Sequence, residues 1–241
     1  MANTGNRNHL VGVIVLTALL GMTMKAVREM HSEPTGASVA AGMSVPCAQQ
    51  ERVGQIIDEE MRPLLHDPRF VFELERQGGA NAPPERDRQI AAGLTARGVL
   101  RLQSADLEDF TRLRLMMATR SEAVCAGIWS GRVDNTEVAT AISQLGDDDL
   151  HKWVRISTRA AQLELGATVP VQIDASAFDE GLDAIAASVE PNDRAALAAA
   201  RAAGGSATPL QGCAAIRIIL REAPRLEPGL RDRFLRALSS P

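Results

Sequence analysis

The densest group of polar side chains in the sequence is the run of three aspartates, a leucine and a histidine at residues 147–151. Asp147 and His151 are four residues apart, so a helix would present both on one face, where they could bind a metal ion. Glu164 follows the same helical repeat farther along. No HExxH motif or comparable second group of ligands accompanies them. The stronger interpretation is that the aspartates stabilise a helix N-terminus and that His151 is exposed.

Two other short motifs resemble catalytic sites only superficially. Residues 127–131 read Gly-Ile-Trp-Ser-Gly, but the spacing is not that of a nucleophile elbow and no strand precedes it, so Ser130 and Gly131 are expected to end a helix. The glycine pairs at residues 78–79 and 204–205 lack the Lys-Ser/Thr that follows in a phosphate-binding loop. The sequence therefore predicts no cofactor and no metal, and a hydrolase would have to gather its residues from distant helices.

Arginines outnumber acidic residues in the last part of the sequence. A patch of this kind could meet anionic lipid or an acidic partner, although most such patches are charged helix surfaces. It is the predicted partner face of the protein. The whole chain nevertheless has a formal net charge of −4, so nucleic acid is not an expected partner. The six arginines of this face are Arg217, Arg221, Arg225, Arg231, Arg233 and Arg236.

If the protein is exported, its three cysteines suggest one disulfide and one spare thiol. Cys125 lies on an apolar helical face and Cys213 lies near the start of another predicted helix, so these two are the favoured pair. Cys47 adjoins a predicted linker; it could instead pair with either of them or bridge two chains. If the protein is not exported, the better interpretation is three buried thiols.

Leu10 to Met24 form an uncharged, mostly apolar run. At ~1.5 Å per residue it spans about 22 Å, which is short for a ~30 Å hydrocarbon core and typical of a signal peptide. Lys25 and Arg28 follow directly, where a cleavage site would need small neutral residues, and this favours an uncleaved anchor. We therefore predict a signal-anchor or signal peptide over residues 1–28, contacting the inner membrane through 10–27, and a flexible linker over 29–46.

From residue 47 onward, apolar side chains recur with helical spacing between Gly, Pro and capping residues. Aromatic residues make up only 3% of the chain, which disfavours β-sheet. Residues 168–173 alone are strand-like, and Pro170 makes them a loop or an edge. One long helix is expected from Ser104 through Ile128. The predicted fold is all-α: a compact bundle of about eight or nine helices over residues 47–241, after an N-terminal hydrophobic helix.

These features predict a helical binding or scaffold protein without catalytic activity. It would be tethered to the inner membrane by a single pass, with its body in the periplasm and another envelope protein as its partner. Two alternatives stay open. One is an envelope hydrolase with a dispersed site near His151 that includes Asp147 and Glu164. The other is an effector or immunity-type protein that is cleaved near Ala41 and then periplasmic or secreted.

Overall fold

A computed structural model of the chain describes residues 47–78, 84–131 and 135–240. These residues form eleven α-helices and two short 3₁₀ turns and include no β-strand, so the predicted all-α class is confirmed. The predicted N-terminal hydrophobic helix, the signal-anchor and the linker lie outside the described residues. The helices are α1 (Cys47–Leu65), α2 (Pro68–Gly78), α3 (Pro84–Val99), α4 (Ser104–Arg120), α5 (Glu122–Ser130), α6 (Asn135–Ser143), α7 (Asp147–Leu165), α8 (Ser176–Ser188), α9 (Pro191–Ala203), α10 (Pro209–Glu222) and α11 (Pro228–Ser239).

Several helix ends follow the local chemistry that the sequence predicts. The Asp67 carboxylate accepts a hydrogen bond of 2.9 Å from the backbone N–H of Arg69, and α2 begins at Pro68. Gly131 ends α5 in a left-handed conformation with φ of 69°. Residues 168–173 form a loop, because Pro170 removes a donor that a strand would need.

The predicted number of eight or nine helices is too low for the described residues, and the long helix predicted from Ser104 through Ile128 is wrong. Its apolar pattern continues without interruption, but the backbone turns extended at Ser121 (φ −132°, ψ 118°) and separates α4 from α5. The Ser121 hydroxyl accepts a hydrogen bond of 3.2 Å from Val124 N and so caps the new helix. A serine cap in mid-pattern therefore divides one apolar face between two helices.

Helices α4 and α7 form the centre of the bundle and run antiparallel. Their direction follows from two ion pairs that come in opposite order along the two helices: Asp106 of α4 pairs with Arg159 of α7, and Arg112 of α4 pairs with Asp149 of α7. Between these pairs the fully buried Trp153 stacks on Phe110 with ring centroids 5.0 Å apart. Helices α1 and α3 pack on α7, whereas α5, α10 and α11 pack on α4, and one continuous apolar core joins both halves.

The crossing of α3 and α7 is the most extensive helix contact of the bundle. It depends on Gly98, because a methyl group at this position would overlap the carbonyl oxygen of Ala160 and lie 3.1 Å from its Cα. Ala160 is itself fully buried and small. Two small residues therefore let the backbones of α3 and α7 approach closely enough to bury the apolar residues on either side of them.

Candidate functional site

The polar residues predicted to cluster on α7 have separate partners. Asp147 forms an ion pair with Arg52 of α1. His151, half-buried, lies with Nδ1 2.9 Å from a carboxylate oxygen of Glu60, also on α1. Both contacts join α7 to α1 along one side of the bundle. The contact with Glu60 fixes the orientation of the imidazole ring, which is the role a carboxylate plays beside a catalytic or ligating histidine.

Glu164 does not belong to this group. It lies thirteen residues beyond His151 on the same helix, a distance of about 20 Å at ~1.5 Å per residue. Its carboxylate accepts hydrogen bonds of 2.8 Å from Arg97 and from Arg101. The structure thus places Asp147 and His151 at one end of α7 and Glu164 at the other. Nowhere in the described part of the chain do three His, Cys, Asp or Glu side chains come together as a metal site would require.

Glu164 instead connects α7 to α3 and to the loop that follows α7. Arg101, which binds Glu164, also donates a hydrogen bond of 2.6 Å to the carbonyl oxygen of Val169. Partial burial of Glu164 raises its pKa, but the hydrogen bonds and charges of Arg101 and Arg97 outweigh this effect and hold the pKa below its usual value. The ionised carboxylate therefore stabilises the folded protein.

The Glu164→Gln substitution is expected to lower the free energy of unfolding by about 1 kcal/mol at pH 7. Because the folded pKa of Glu164 is depressed, its contribution is fully present above the unfolded pKa of ~4.3 and is lost as the pH falls through the folded pKa. The difference between wild type and variant should accordingly vanish in acid. Urea denaturation between pH 7 and pH 3 measures it. Glu75→Gln, an exposed change on α2, is the control, and an equal loss in both variants would contradict the assignment.

All six arginines of the predicted partner face have partners within the protein. Four of them pair with carboxylates of other helices or loops, Arg225 pairs with Glu222 one turn earlier, and Arg236 binds backbone carbonyls. The positive charge of this face is therefore largely compensated from inside the bundle. The partners are Ala118 O and Glu122 for Arg217, Asp193 and Glu222 for Arg221, Glu222 for Arg225, Glu108 for Arg231, Asp174 and Glu180 for Arg233, and Leu100 O and Leu102 O for Arg236.

A groove of about 450 Å³ lies between α4 and the end of α10. Its apolar lining comes from both helices and from Pro224, and charged side chains of both signs surround this lining. Arg221 of the predicted partner face belongs to it. Sequence reasoning missed the residues of α4, although their spacing places them on the side of the helix away from its buried residues. This α4–α10 groove is lined by Ala105, Glu108, Asp109, Arg112, Leu115, Leu220, Arg221 and Pro224.

The predicted cysteine pair is brought together by the packing of α5 on α10. The sulfur atoms of Cys125 and Cys213 lie at disulfide distance, their Cα atoms are 5.0 Å apart, and both residues are buried. Gly212, beside Cys213, has no side chain and so leaves room for the ring of Trp129. Cys47 is the first residue of α1, on another part of the bundle. Ser130, the serine of the motif that superficially resembles a nucleophile elbow, lies in the last turn of α5, as predicted, and its hydroxyl donates to Gly127 O at 3.3 Å.

No helix among the described residues combines the length and the apolar composition that a membrane span requires. Comparisons of the chain with protein-family models, with curated proteins and with solved structures found no match. The functional argument therefore depends on the chain itself. Two features of the described residues carry it: the oriented His151–Glu60 pair and the α4–α10 groove.

Proposed function

We propose that the chain is a helical binding or scaffold protein, tethered to the inner membrane through residues 10–27, which holds an envelope protein at the α4–α10 groove. The observation that carries this proposal is the make-up of the groove. An apolar centre bordered by charges of both signs is the pattern of protein interfaces. A partner that fits it presents an apolar side chain flanked by an acid and a base.

Ion pairs within the protein hold the charged side chains around the groove in place before any partner binds, which favours binding. Arg112 lies 3.0 Å from Asp149 and also pairs with Asp109, and Arg221 is bound by Asp193 and Glu222. Side chains held in this way lose little conformational entropy when a partner binds. Arg112 retains 44% of its side-chain exposure, so a partner carboxylate can reach it without displacing the pairs.

Two features of the chain support the proposed location. The uncharged run of Leu10 to Met24 and the polar residues 29–46 form an anchor and a spacer of the kind found in tethered envelope proteins. The Cys125–Cys213 pair supports an oxidising compartment, where disulfides form and persist. The runner-up location is the periplasm or the medium, after cleavage of the N-terminal segment.

The test is site-specific photo-crosslinking in cells that express the full-length chain. A crosslinker in place of Leu115, in the groove, is expected to give one defined adduct in the membrane fraction. The same crosslinker in place of Gln55, exposed on α1, should give none. Arg112→Glu should reduce the adduct at least tenfold. Arg159→Glu, which breaks a comparable ion pair with Asp106 outside the groove, should leave it unchanged.

Two results would overturn the proposal. If both charge reversals reduce the adduct equally, the effect comes from stability and the groove has no special role. If the full-length chain is found in the soluble fraction with three free thiols, the tether and the periplasmic location are wrong.

A hydrolase centred on His151 is the second candidate, and one contact favours it. Glu60 holds the imidazole at 2.9 Å, as an orienting carboxylate would hold a general base. Hydrolysis of an ester, peptide or glycan substrate by the wild type, lost in both His151→Gln and Glu60→Gln, would favour this candidate over the binding protein. Glu164, which has its own partners at the far end of α7, has no role in it.

A further inference from the structure

Arg114 of α4 is buried in the bundle without a carboxylate partner. The residue is only 3% exposed. Its guanidinium carbon lies 5.8 Å from the centre of the Phe110 ring, one turn earlier on the same helix. Within residues 47–78, 84–131 and 135–240 it forms no ion pair and donates no hydrogen bond. Every arginine of the predicted partner face, by contrast, has at least one acceptor in the protein.

A guanidinium in this position is energetically unfavourable. Burial lowers the pKa of Arg114 to about 10, yet the group stays protonated at neutral pH, so the protein carries an uncompensated positive charge in its interior. The contact with Phe110 offsets part of this cost, because the face of an aromatic ring attracts a cation. Phe110 is in turn stacked on the buried Trp153, which holds the ring in place. The stack engages one face of the guanidinium and leaves its N–H groups without acceptors.

The nitrogen atoms of Arg114 keep slight contact with solvent. The buried polar atoms that lack both a partner and solvent contact in the described residues belong to other side chains, Trp153 Nε1 and Ser157 Oγ among them, and not to Arg114. The aliphatic part of the Arg114 side chain is therefore buried, whereas the N–H groups of its guanidinium keep slight contact with solvent. A small ligand that approaches from solvent can therefore contact these nitrogen atoms.

We infer that Arg114 is the anchor of a binding site for one oxyanion, a carboxylate or a phosphate group. The planar guanidinium presents two parallel N–H donors, which match the two oxygens of either group. The low exposure of Arg114 limits competition from water and strengthens the attraction. The inference is independent of the proposed function: the oxyanion site and the α4–α10 groove use different residues of α4.

The test is thermal unfolding of the full-length chain in detergent, followed by circular dichroism. Sodium phosphate and sodium acetate are compared with sodium chloride at equal ionic strength. The wild type is expected to melt at a higher temperature in phosphate, in acetate or in both, and calorimetric titration should give one site per chain. A response to phosphate alone assigns a phosphate group, a response to acetate alone assigns a carboxylate, and a response to both assigns a site that accepts either oxyanion.

Three variants isolate Arg114. Arg114→Met should abolish the response to the anion and should melt above the wild type in chloride, because the uncompensated charge is gone. Arg114→Lys keeps the charge but lacks the two parallel N–H donors, and should bind the anion at least tenfold more weakly while folding normally. Arg120→Met removes an exposed arginine of the same helix and should respond like the wild type. Equal responses in wild type and Arg114→Lys, or no response to either anion beyond that to chloride, would overturn the inference.

Discussion

The Gly98→Ala variant is expected to lose about 3 kcal/mol of stability or more, the largest loss among the single substitutions proposed for this protein. The added methyl group would overlap the carbonyl oxygen of Ala160, and its next neighbours are the carbonyl carbon and Cα of the same residue. All three are backbone atoms, so no side-chain rotation can relieve the overlap. Helices α3 and α7 would have to separate, which would loosen the most extensive helix contact of the bundle.

Gly54→Ala is the matched control for Gly98→Ala. Gly54 also lies inside a helix, but a methyl group there would have no neighbour within 4 Å. The change should therefore stabilise the protein by about 0.5–1 kcal/mol, since alanine loses less backbone entropy in a helix than glycine. Urea denaturation compares both variants with the wild type. Equal stability of Gly98→Ala and wild type would show that α3 and α7 do not cross at Gly98.

Removal of the Cys125–Cys213 pair is expected to cost about 4 kcal/mol, because the bond closes a long loop in the unfolded chain. The sequence separation of the two cysteines is 88 residues, and helices α5 and α10 already pack closely on each other. The bond therefore acts mainly on the unfolded state. The double variant Cys125→Ala/Cys213→Ala should show the loss in urea denaturation, and reduction of the wild type should reproduce it.

The third cysteine provides the control for this experiment. Cys47→Ser should unfold like the wild type under oxidising conditions. In unreduced, denatured wild type, one cysteine should react with iodoacetamide, and the other two should react only after reduction. Alkylation of all three thiols without reduction would show that the pair is not bonded, and the argument for an oxidising compartment would fail with it.

Local chemistry made the helical fold predictable, with many of its helix boundaries. Asp67 before Pro68, the glycine at 131 and the proline at 170 act through their own backbone geometry, so their effects need no knowledge of distant residues. The capping box at Thr208, whose hydroxyl accepts a hydrogen bond from Gln211 N at 3.2 Å, follows the same rule and could have been found from its spacing.

The candidate sites were less predictable, because a charged residue in the sequence does not reveal its partner. The six arginines of the predicted partner face look free along the chain, but carboxylates and carbonyls from other segments compensate them. Asp147, His151 and Glu164 share a helical repeat, yet the length of α7 keeps Glu164 far from the other two. The α4–α10 groove exists only because two helices distant in sequence lie side by side.

The sequence by itself therefore determined the all-α class and many of the helix ends, since these depend on helical periodicity and short-range hydrogen bonds. It favoured the Cys125–Cys213 pair, but the packing of α5 on α10 decided that pair. Only the tertiary structure decided three other features: the extended residue Ser121 inside an unbroken apolar pattern, the need for glycine at position 98, and the burial of Arg114. Each of these depends on which helix packs against which. Periodicity identifies the apolar face of a helix, but it does not name the helix that covers that face.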